Sequence, residues 1–359
     1  MSYLDFQLTF SWKNPLKWLF LKVLSLLYSS LIHIWLFGYQ VHIKKGWSAR
    51  KRVISIGNIT MGGTGKTPMV DWLLSFLREQ HQEAAVLTRG YKAQRTEKHQ
   101  VLNQSTAGNG NRLRFGDEPW LLFHNHPYIS IYISPDRVES ARRAQADADI
   151  LLLDDGMQHR RLKRDLEIVM IDAVSGIGNG QVFPLGPLRE PLRSLSRADI
   201  IIYSKSNLVS SQEIRKQIAA HLRQDVKQFD SEYLPDQLLC SMDLPPIPPA
   251  SLNGKKCLLF SGIGNPTGFT RTVANTGAII QGHIAFEDHQ EYNLKTIEHL
   301  KQFADSQPYD FMICTEKDWV KLERWENELP AVYRLKMKML IDAEFATQMA
   351  AWISREQAV

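Results

Sequence analysis

The chain has 359 residues, of which 44% are hydrophobic and 23% charged, and its formal net charge at pH 7 is +5. That length is enough for two domains of ordinary size, and the mild positive charge suits an anionic partner without distinguishing nucleic acid, acidic lipid and phosphate. The cysteines at positions 240, 257 and 314 are odd in number and lack metal-ligand spacing. We therefore expect no disulfide framework, which is consistent with a reducing compartment.

The first feature along the chain is an apolar stretch at residues 16–37, LKWLFLKVLSLLYSSLIHIWLF. Its length suits a single bilayer crossing, which needs about 20 apolar residues. Lys22, Ser25, Ser29 and His33 recur at helical spacing and form one polar stripe. That stripe is equally compatible with a helix that lies in the plane of the membrane or faces the rest of the protein. The basic residues that follow at positions 42–52 indicate the cytoplasmic side.

The sequence NITMGGTGKTPMV at residues 58–70 has the features of a phosphate-binding loop. A β-rich run at Val53–Ile56 precedes it and the helically periodic PMVDWLLSFLREQ follows it, which is the context that such a loop requires. Glycines let backbone N–H groups turn towards phosphate oxygens, and the helix N-terminus adds a positive dipole end. Lys66 is expected to reach the β- and γ-phosphates, and the Thr67 hydroxyl to bind Mg²⁺. The predicted nucleotide-binding residues are Thr60, Met61, Gly62, Gly63, Thr64, Gly65, Lys66 and Thr67.

A phosphate loop needs an acidic partner at the end of a neighbouring strand, and ILLLDD at residues 150–155 supplies one. The carboxyl end of a parallel strand faces the same crevice as the loop, so Asp154 or Asp155 is expected to hold Mg²⁺, directly or through water. Further β-rich runs alternate with helical stretches, which predicts a parallel α/β sheet over residues 47–210. These runs are Ala85–Thr88, Ile129–Ile133, Leu166–Ile171 and Ile200–Tyr203.

Two acidic stretches are candidates for a general base and for a residue that orients it. RFGDEPWLL at residues 114–122 carries Asp117 and Glu118 before a Pro-led helix start. Asp117 there is either a helix cap or a general base that takes a proton from an attacking hydroxyl. AFEDHQEY at residues 285–292 places His289 among carboxylates, where it would orient or tune such a base. No second His or Cys stands at ligand spacing, which argues against a metal site there.

A basic stretch, VFPLGPLREPLRSLSRAD, occupies residues 182–199. Arg189, Arg193 and Arg197 recur in it every four residues and would share one face of a helix. They form either a solvated basic face or a clamp for a phosphate on the substrate or the nucleotide.

Taken in order, these motifs resemble the tetraacyldisaccharide 4′-kinase family of lipid A biosynthesis. The resemblance covers nearly the whole chain and rests on SIGNITMGGTGKTP, LTRGY, GDEPWLL, LLLDDGMQHRRL, PLGPLREPL, GIGNPTGF, FEDHQEY and TEKDWVKL. It implies an enzyme that uses Mg²⁺ and moves the γ-phosphate of ATP to the 4′-hydroxyl of a tetraacylated glucosamine disaccharide 1-phosphate. It also implies an inner-membrane protein with its active site on the cytoplasmic face, and neither nucleic acid nor an obligate protein partner.

The resemblance assigns roles to single residues as well. Asp117 matches the proposed catalytic base of the family, and His289 matches the residue thought to pair with it. Lys66 and Thr67 match the phosphate loop, and the two aspartates at 154 and 155 match its acidic pair. The arginines would meet either the 1-phosphate of the substrate or the triphosphate. Residues expected near the substrate are Glu118, Arg189 and Arg193.

The expected fold class is α/β: a P-loop NTPase-like parallel sheet domain with an N-terminal membrane helix and a second, smaller α/β domain. KKCLLFSGIG, GAIIQGHIAF and DFMICTEKD predict strands of the smaller domain, and AEFATQMAAWISREQ predicts a closing helix. The proline-rich PDQLLCSMDLPPIPPASLNG indicates a linker. The predicted segments are a membrane-associated helix and basic flank at 1–46, an ATP-binding kinase domain at 47–235, a linker at 236–253 and the smaller domain at 254–359. The active site is expected between the two domains.

Two other classes of protein are alternatives. A membrane-associated P-loop ATPase that acts as a switch also carries GG-x-GK-T, but usually with a lysine where this chain has Met61, and it leaves GDEP and EDHQEY unexplained. A non-enzymatic, membrane-tethered binding module has no need of the Asp154–Asp155 pair. The products separate the three classes, because a switch releases free phosphate, a kinase makes a phosphorylated lipid and a binding module does neither.

Overall fold

The computed structural model describes residues 15–41, 43, 45–90, 93–94, 97–108, 112–242, 244–288 and 290–355. In these ranges the chain builds one twelve-stranded mixed sheet, flanked by helices. The strands are β1 (Arg52–Asn58), β2 (Ala84–Thr88), β3 (Gln100–Leu102), β4 (Ser130–Ile133), β5 (Ile150–Asp154), β6 (Leu166–Asp172), β7 (Ile200–Ser204), β8 (Lys227–Cys240), β9 (Lys256–Ser261), β10 (Ile279–Ala285), β11 (Phe311–Thr315) and β12 (Val332–Ile341).

The α-helices of the described residues lie between these strands and at both ends of the chain. They are α1 (Pro15–Gln40), α2 (Lys66–Glu79), α3 (Gln104–Ala107), α4 (Arg112–Phe115), α5 (Asp117–Asn125), α6 (Arg137–Ala144), α7 (Gln212–Ile218), α8 (Pro266–Ala274), α9 (Leu294–Asp305), α10 (Glu316–Leu322) and α11 (Ala343–Ser354). Short 3₁₀ helices occupy Leu192–Arg197, Ala219–His221, Pro249–Leu252 and Glu323–Glu328.

The strand order is β10-β9-β11-β12-β8-β7-β6-β1-β5-β2-β4-β3. β1 lies between β5 and β6 and is parallel to both. The pairs β2–β4, β2–β5 and β6–β7 are parallel as well, so the parallel sheet predicted over residues 47–210 is confirmed. Only the edge strand β3 departs from it, because it runs antiparallel to β4.

Helix α2 packs on one face of this parallel sheet through an apolar stripe. Met69, Leu73 and Leu77 recur every four residues, are fully buried, and belong to the same hydrophobic cluster as Ile54 and Ile56 of β1. Full burial of such a side chain stabilises the fold by about 1.5–3 kcal/mol. The opposite face of the sheet is covered by α6 and contributes a separate cluster. Both faces of β1 are therefore buried, which fixes the loop at its carboxyl end.

Strand β8 joins the two halves of the sheet. Its first residues pair parallel to β7, and its remaining length pairs antiparallel to β12, from Ser231 opposite Ile341 to Cys240 opposite Tyr333. The linker predicted at 236–253 is therefore irregular only in part, because residues 236–240 belong to β8. The division of the chain into domains stays a prediction.

The predicted C-terminal helix forms as α11, but it packs on the first half of the protein. Phe345 and Met349 are fully buried in the cluster that holds α2 and β1. Arg52 at the start of β1 donates hydrogen bonds to the carbonyl oxygens of Trp352 and Ile353 at 2.7 Å each. These bonds satisfy two of the carbonyls that the end of a helix leaves unpaired. The end of the chain thus completes the core beneath the phosphate loop.

Helix α1 contacts the rest of the protein along a narrow stripe. Ser25 is buried and donates to the carbonyl oxygen of Val182 at 2.8 Å, and the Tyr28 hydroxyl donates to that of Arg189 at 3.1 Å. The Ser25 side of the predicted polar stripe therefore faces the protein, whereas Lys22 is exposed. Residues 1–14, His42 and Lys44 of the predicted N-terminal segment lie outside the described residues.

The remainder of α1 is apolar and exposed. Among the described residues, Trp18–Tyr39 is the one helix long and apolar enough to cross a membrane, with a mean hydropathy of 1.7 over its most apolar window, of which 11% is buried. Its exposed side chains include Leu19, Phe20, Leu27, Leu31 and Ile34.

Candidate active site

The phosphate loop occupies residues 59–65, between β1 and α2. Gly65 caps α2 with φ 88°, and Gly62 has φ 104°, a backbone region that side-chain-bearing residues rarely adopt. A Cβ atom added at Gly62 or Gly63 would meet nothing within 4 Å, so this part of the loop is open on its outer side. Lys66 and Thr67 form the first turn of α2. The predicted strand–loop–helix context is thus present.

A neighbouring segment, residues 182–189, contacts the phosphate loop from outside and is called the loop-holding segment. The Met61 N–H donates to the carbonyl oxygen of Pro187 at 2.8 Å, and the Arg189 N–H donates to that of Ile59 at 2.7 Å. Because α1 contacts the same segment through Tyr28 and Ser25, the apolar helix and the phosphate loop share one support.

Polar side chains fix the loop from inside. The Asn58 side-chain amide donates to the Thr60 carbonyl oxygen at 2.7 Å and to the Thr64 hydroxyl at 2.9 Å. The Ser204 hydroxyl at the end of β7 donates to the Thr64 carbonyl oxygen at 3.0 Å. Asn58, Thr60, Thr64 and Ser204 are all buried, so these bonds are shielded from water and hold the loop in one conformation.

The acidic pair lies beside the loop, since Asp154 is opposite Ile56 of β1 in the sheet. An Asp155 carboxylate oxygen lies 3.4 Å from the Lys66 Nζ. The Arg189 guanidinium donates to both carboxylate oxygens of Asp155, at 2.9 and 3.0 Å. Burial alone would raise the pKa of Asp155, but Lys66 and Arg189 outweigh it and lower that pKa. Three predicted site residues, Lys66, Asp155 and Arg189, are thereby brought together.

Asp154 has a different environment from its neighbour. Its side chain is buried and accepts a hydrogen bond from the Thr88 hydroxyl at 3.0 Å. Burial, with Glu118 and Asp155 close by, raises the pKa of Asp154 to about 6. A carboxylate that is buried beside other carboxylates gains from a bound cation, so this position suits a divalent metal.

In the part of the chain that the structure describes, no three His, Cys, Asp or Glu side chains form a group that could hold a metal ion by themselves. Mg²⁺ does not require such a group, because it usually keeps several waters and binds one or two carboxylates together with phosphate oxygens. Asp154 and Thr67 fit that requirement. The donor set therefore agrees with Mg²⁺ that arrives with a nucleotide.

Asp117 is not a helix cap. Helix α5 begins at Asp117 itself, and Gly116, with φ 95° and no side chain, takes the cap position. The Asp117 carboxylate instead accepts a hydrogen bond from the Arg112 guanidinium at 2.5 Å. Arg112 also binds both carboxylate oxygens of Glu291, at 3.0 and 2.5 Å. The GDEP and DHQEY motifs therefore meet through a buried arginine.

A second ion pair also joins the GDEP motif to the second half of the chain. The Lys317 ammonium group, at the start of α10, donates to a Glu118 carboxylate oxygen at 3.0 Å. Burial alone would lower the pKa of Lys317, but Glu118, Asp288 and Asp117 outweigh it and raise that pKa. Lys317 is thus surrounded by carboxylates of the GDEP and EDHQEY motifs.

Sequence analysis missed both Arg112 and Lys317. Lys317 lies in TEKDWVKL, a motif that carried the resemblance but received no role, and Arg112 lies five positions before Asp117. A basic residue beside each acidic motif is the signal that was present. His289 lies outside the described residues, although its neighbours Asp288 and Glu291 interact with Lys317 and Arg112, respectively.

The predicted arginine face is wrong. The stretch is helical only from Leu192 to Arg197, as a 3₁₀ turn that begins after Pro191, so a spacing of four does not align the three side chains. Arg189 binds Asp155, Arg193 is exposed, and Arg197 binds Glu190 at 2.9 Å. Of the three, Arg189 alone contacts the acidic pair.

A histidine also links α5 to the second half of the chain. The His124 Nε2 lies 2.9 Å from a Glu323 carboxylate oxygen, and its Nδ1 lies 2.9 Å from the Trp120 carbonyl oxygen. Burial alone would lower the pKa of His124, but Glu323 and the Trp120 carbonyl outweigh it and raise that pKa. Both ring nitrogens face acceptors, so the imidazolium satisfies both contacts.

The His124–Glu323 pair predicts a pH-dependent stability. Because the folded pKa of His124 lies above its unfolded value, its contribution is complete below about pH 6.5 and is lost as the pH rises through the folded pKa. We expect the free energy of unfolding of the wild type, relative to His124→Gln, to fall by up to about 1 kcal/mol between pH 6 and pH 9. Urea unfolding at both pH values measures this, with the exposed His299→Gln as control. Parallel pH curves for wild type and His124→Gln would contradict it.

Comparison with known proteins gives a consistent result. The family model described as tetraacyldisaccharide-1-P 4′-kinase matches residues 17–354. A tetraacyldisaccharide 4′-kinase of Syntrophotalea carbinolica is 34% identical over 327 residues, covering 88% of this chain and 87% of the relative. One of Halothermothrix orenii is 33% identical over 318 residues, covering 85% and 83%.

The fold agrees as well. The structure is similar to a crystal structure of LpxK from Aquifex aeolicus in complex with ATP, with a TM-score of 0.74 and 26% identity, over 92% of this chain and 96% of that one. The family predicted from the sequence and its α/β, P-loop NTPase-like fold class are thereby confirmed. The chain therefore belongs to the tetraacyldisaccharide-1-P 4′-kinase family and is an ATP-dependent kinase of lipid A biosynthesis.

Proposed function

We propose that this chain transfers the γ-phosphate of ATP to the 4′-hydroxyl of a tetraacyldisaccharide 1-phosphate in the cleft between the phosphate loop and helix α5. The observation that carries the proposal is electrostatic. Glu118 lies near enough to Asp154 to raise the pKa of that carboxyl group, so the GDEP motif faces the same site as the phosphate loop. A nucleotide on the loop and a hydroxyl beside Asp117 would then meet in one cleft.

The nucleotide side uses the loop and the first turn of α2. The loop N–H groups and the α2 N-terminus bind the phosphates, with the predicted residues 60–67 around them. Lys66 neutralises charge on the transferring phosphoryl group, and Asp155 with Arg189 orients Lys66 for that task. Arg189 thus acts on the triphosphate side rather than on the 1-phosphate. Arg193, which is exposed, would meet only a ligand at the surface.

On the acceptor side, Asp117 accepts the proton of the 4′-hydroxyl as its oxygen attacks phosphorus. Asp117 is the first residue of α5, so this carboxylate lies at the positive end of the helix dipole. Glu118 and Lys317 line the same cleft and contact the substrate. His289 is proposed to pair with Asp117, as the resemblance implies.

Mg²⁺ fits the remaining donors of the site. Asp154 and the Thr67 hydroxyl would hold it, which assigns Asp154 to the metal and leaves Asp155 to the two cations that already bind it. When bound, Mg²⁺ neutralises phosphate oxygens during transfer. The Thr88 hydroxyl orients the Asp154 carboxylate for this purpose.

The lipid acceptor places the enzyme at the inner membrane, with the site on the cytoplasmic face where ATP is present. Helix α1 supplies an exposed apolar surface beside the segment that holds the phosphate loop. The Arg160 guanidinium lies over the Tyr39 ring at 5.5 Å, so the basic loop of the QHRRL motif adjoins the end of α1. Basic side chains at that end favour anionic headgroups and a cytoplasmic orientation.

Membrane binding through α1 is tested by changing its exposed face. Phe20, Leu27 and Ile34 are 61%, 57% and 70% exposed and lie seven residues apart on one side of the helix. Replacing all three with Glu is expected to move the protein from the membrane pellet to the soluble fraction, because an acidic side chain in the bilayer costs about 3 kcal/mol.

Substitution is a sharper test than deletion of residues 1–38, which would also remove the contacts of Ser25 and Tyr28 with the loop-holding segment. Ser25→Ala on the packed side is the matched control and should stay with membranes. A triple variant that remains in the pellet would assign the anchoring to other surfaces.

The activity itself is tested with purified enzyme, γ-labelled ATP, Mg²⁺ and the tetraacylated disaccharide 1-phosphate in detergent micelles. Label is expected to migrate with the lipid, and a chelator should abolish that transfer. Label found only as free phosphate, with or without lipid, would reject the proposal in favour of a membrane-associated ATPase switch.

A further inference from the structure

We propose that Arg112 is a positioning residue for phosphate transfer, which holds the Asp117 carboxylate in place by linking it to Glu291 across the cleft. The inference deepens the proposed function, because it rests on Asp117 as the base that receives the hydroxyl proton. It concerns a residue that touches the base rather than the reacting atoms.

The first observation is the geometry of the guanidinium group. One nitrogen, Nη1, donates to both Asp117 and Glu291, and the other terminal nitrogen, Nη2, donates to the second oxygen of Glu291. The Arg112 side chain is only 10% exposed. The two-point contact with Glu291 fixes the plane of the guanidinium group. The hydrogen bond from Nη1 to Asp117 therefore has a fixed direction.

The second observation is that the residue next to Glu291 is well anchored. The Glu291 side chain is itself 53% exposed, but the following residue, Tyr292, is fully buried, and its hydroxyl donates to Asp318 at 3.1 Å. Asp318 also accepts the Gly262 N–H at 2.9 Å, and Arg324 donates to the Tyr292 carbonyl oxygen at 2.7 Å. Arg112 therefore ties Asp117 to a carboxylate whose backbone neighbour is fixed in the second half of the chain.

The third observation is the charge balance of the cleft. Both the Asp117 and the Glu291 carboxylate contact the same guanidinium group, so the two like charges would repel each other more strongly if Arg112 were removed. The Lys317 ammonium group, by contrast, is hydrogen-bonded to Glu118. Loss of Arg112 should displace the base without emptying the nucleotide site, which lies on the other side of the cleft.

The test compares Arg112→Gln and Arg112→Lys with wild type in the lipid phosphorylation assay. For Arg112→Gln we expect kcat to fall by about 10–100-fold, since a displacement of about 1 Å in a reacting group can cost 100-fold. The KM for ATP should change by less than about twofold, as the nucleotide contacts are intact. Arg112→Lys should recover only part of kcat, because an ammonium group cannot make the two-point contact.

Chemical rescue separates positioning from a purely structural role. Guanidinium ion at millimolar concentration should restore several-fold activity to Arg112→Ala, and urea at equal concentration should not. Arg114→Gln, two residues away and paired with Glu97, is the matched control and should keep wild-type kcat. Wild-type kcat in Arg112→Gln, or a loss that follows thermal stability and is not rescued, would overturn the inference.

An Asp117→Asn variant measured alongside tests the role of Asp117 as the base separately from the role of Arg112. If Asp117→Asn is inactive and Arg112→Gln is fully active, the role of Arg112 fails and the base assignment stands. If Asp117→Asn keeps wild-type turnover, both fail.

Discussion

Replacing Asp117 with Asn will lower the turnover number by about 10²–10⁴-fold while ATP binding changes little, because a positioned general base contributes that much to a rate. The substitution keeps the size of the side chain and one hydrogen-bond acceptor for Arg112 but removes the ability to take a proton. The ion pair between Lys66 and Asp155 beside the phosphate loop does not involve Asp117 and is not altered.

The measurement pairs kcat for lipid phosphorylation with ATP affinity from equilibrium binding. Asp225→Asn, which changes an exposed carboxylate far from the site, is the matched control. Turnover within a few-fold of wild type would remove Asp117 from the role of base. Equal losses of turnover and ATP affinity would instead indicate that the variant disturbs the whole cleft.

The parallel half of the fold was predictable because its signals are local. The runs at Val53–Ile56 and Leu166–Ile171 became β1 and β6 with ends shifted by one or two residues. These strands are buried on both faces and read as continuous apolar segments.

Strand β8 was less predictable, since polar residues make up half of its sequence KQFDSEYLPDQLLC, which also contains Pro235. Its pairing with β12, about a hundred residues later in the chain, is a tertiary contact that no local pattern encodes. The packing of α11 on the first half of the protein could not be predicted for the same reason. An amphipathic pattern predicts a helix with a buried face, but it does not identify the surface on which that face packs.

The candidate site divides in the same way. The glycine loop, the acidic pair and the GDEP motif can be recognised in the sequence because the functional residues of each lie within a few positions of one another. The partners that hold them are distant: Arg112 and Glu291 are 179 positions apart, and Glu118 and Lys317 are 199 apart. The arginine spacing in residues 189–197 misled because it presumes an α-helix, whereas Pro191 delays the helical turn.

Replacing Lys66 with Ala is expected to lower kcat/KM for ATP by about 10²–10³-fold, the range found when one preorganised donor to a developing charge is removed. The structure supplies a reason why neighbouring cations do not compensate. The Lys66 ammonium group sits at the first turn of α2, 3.4 Å from Asp155, while Arg189 is occupied by both oxygens of that carboxylate. Without Lys66, Arg189 keeps its contacts with both Asp155 oxygens, so its guanidinium group does not take the place of the missing ammonium group.

Steady-state kinetics with varied ATP concentration measure kcat/KM, and the thermal shift on ATP addition measures ATP binding. Lys51→Ala is the matched control, because Lys51 is a surface lysine just before β1 whose partner, Asp149, is also exposed. Wild-type kcat/KM for Lys66→Ala would refute the assignment of residues 60–67 as the phosphate loop. A loss confined to kcat, with an unchanged ATP-induced thermal shift, would place Lys66 at the γ-phosphate during transfer alone, since binding energy expressed only in the transition state leaves ground-state affinity unchanged.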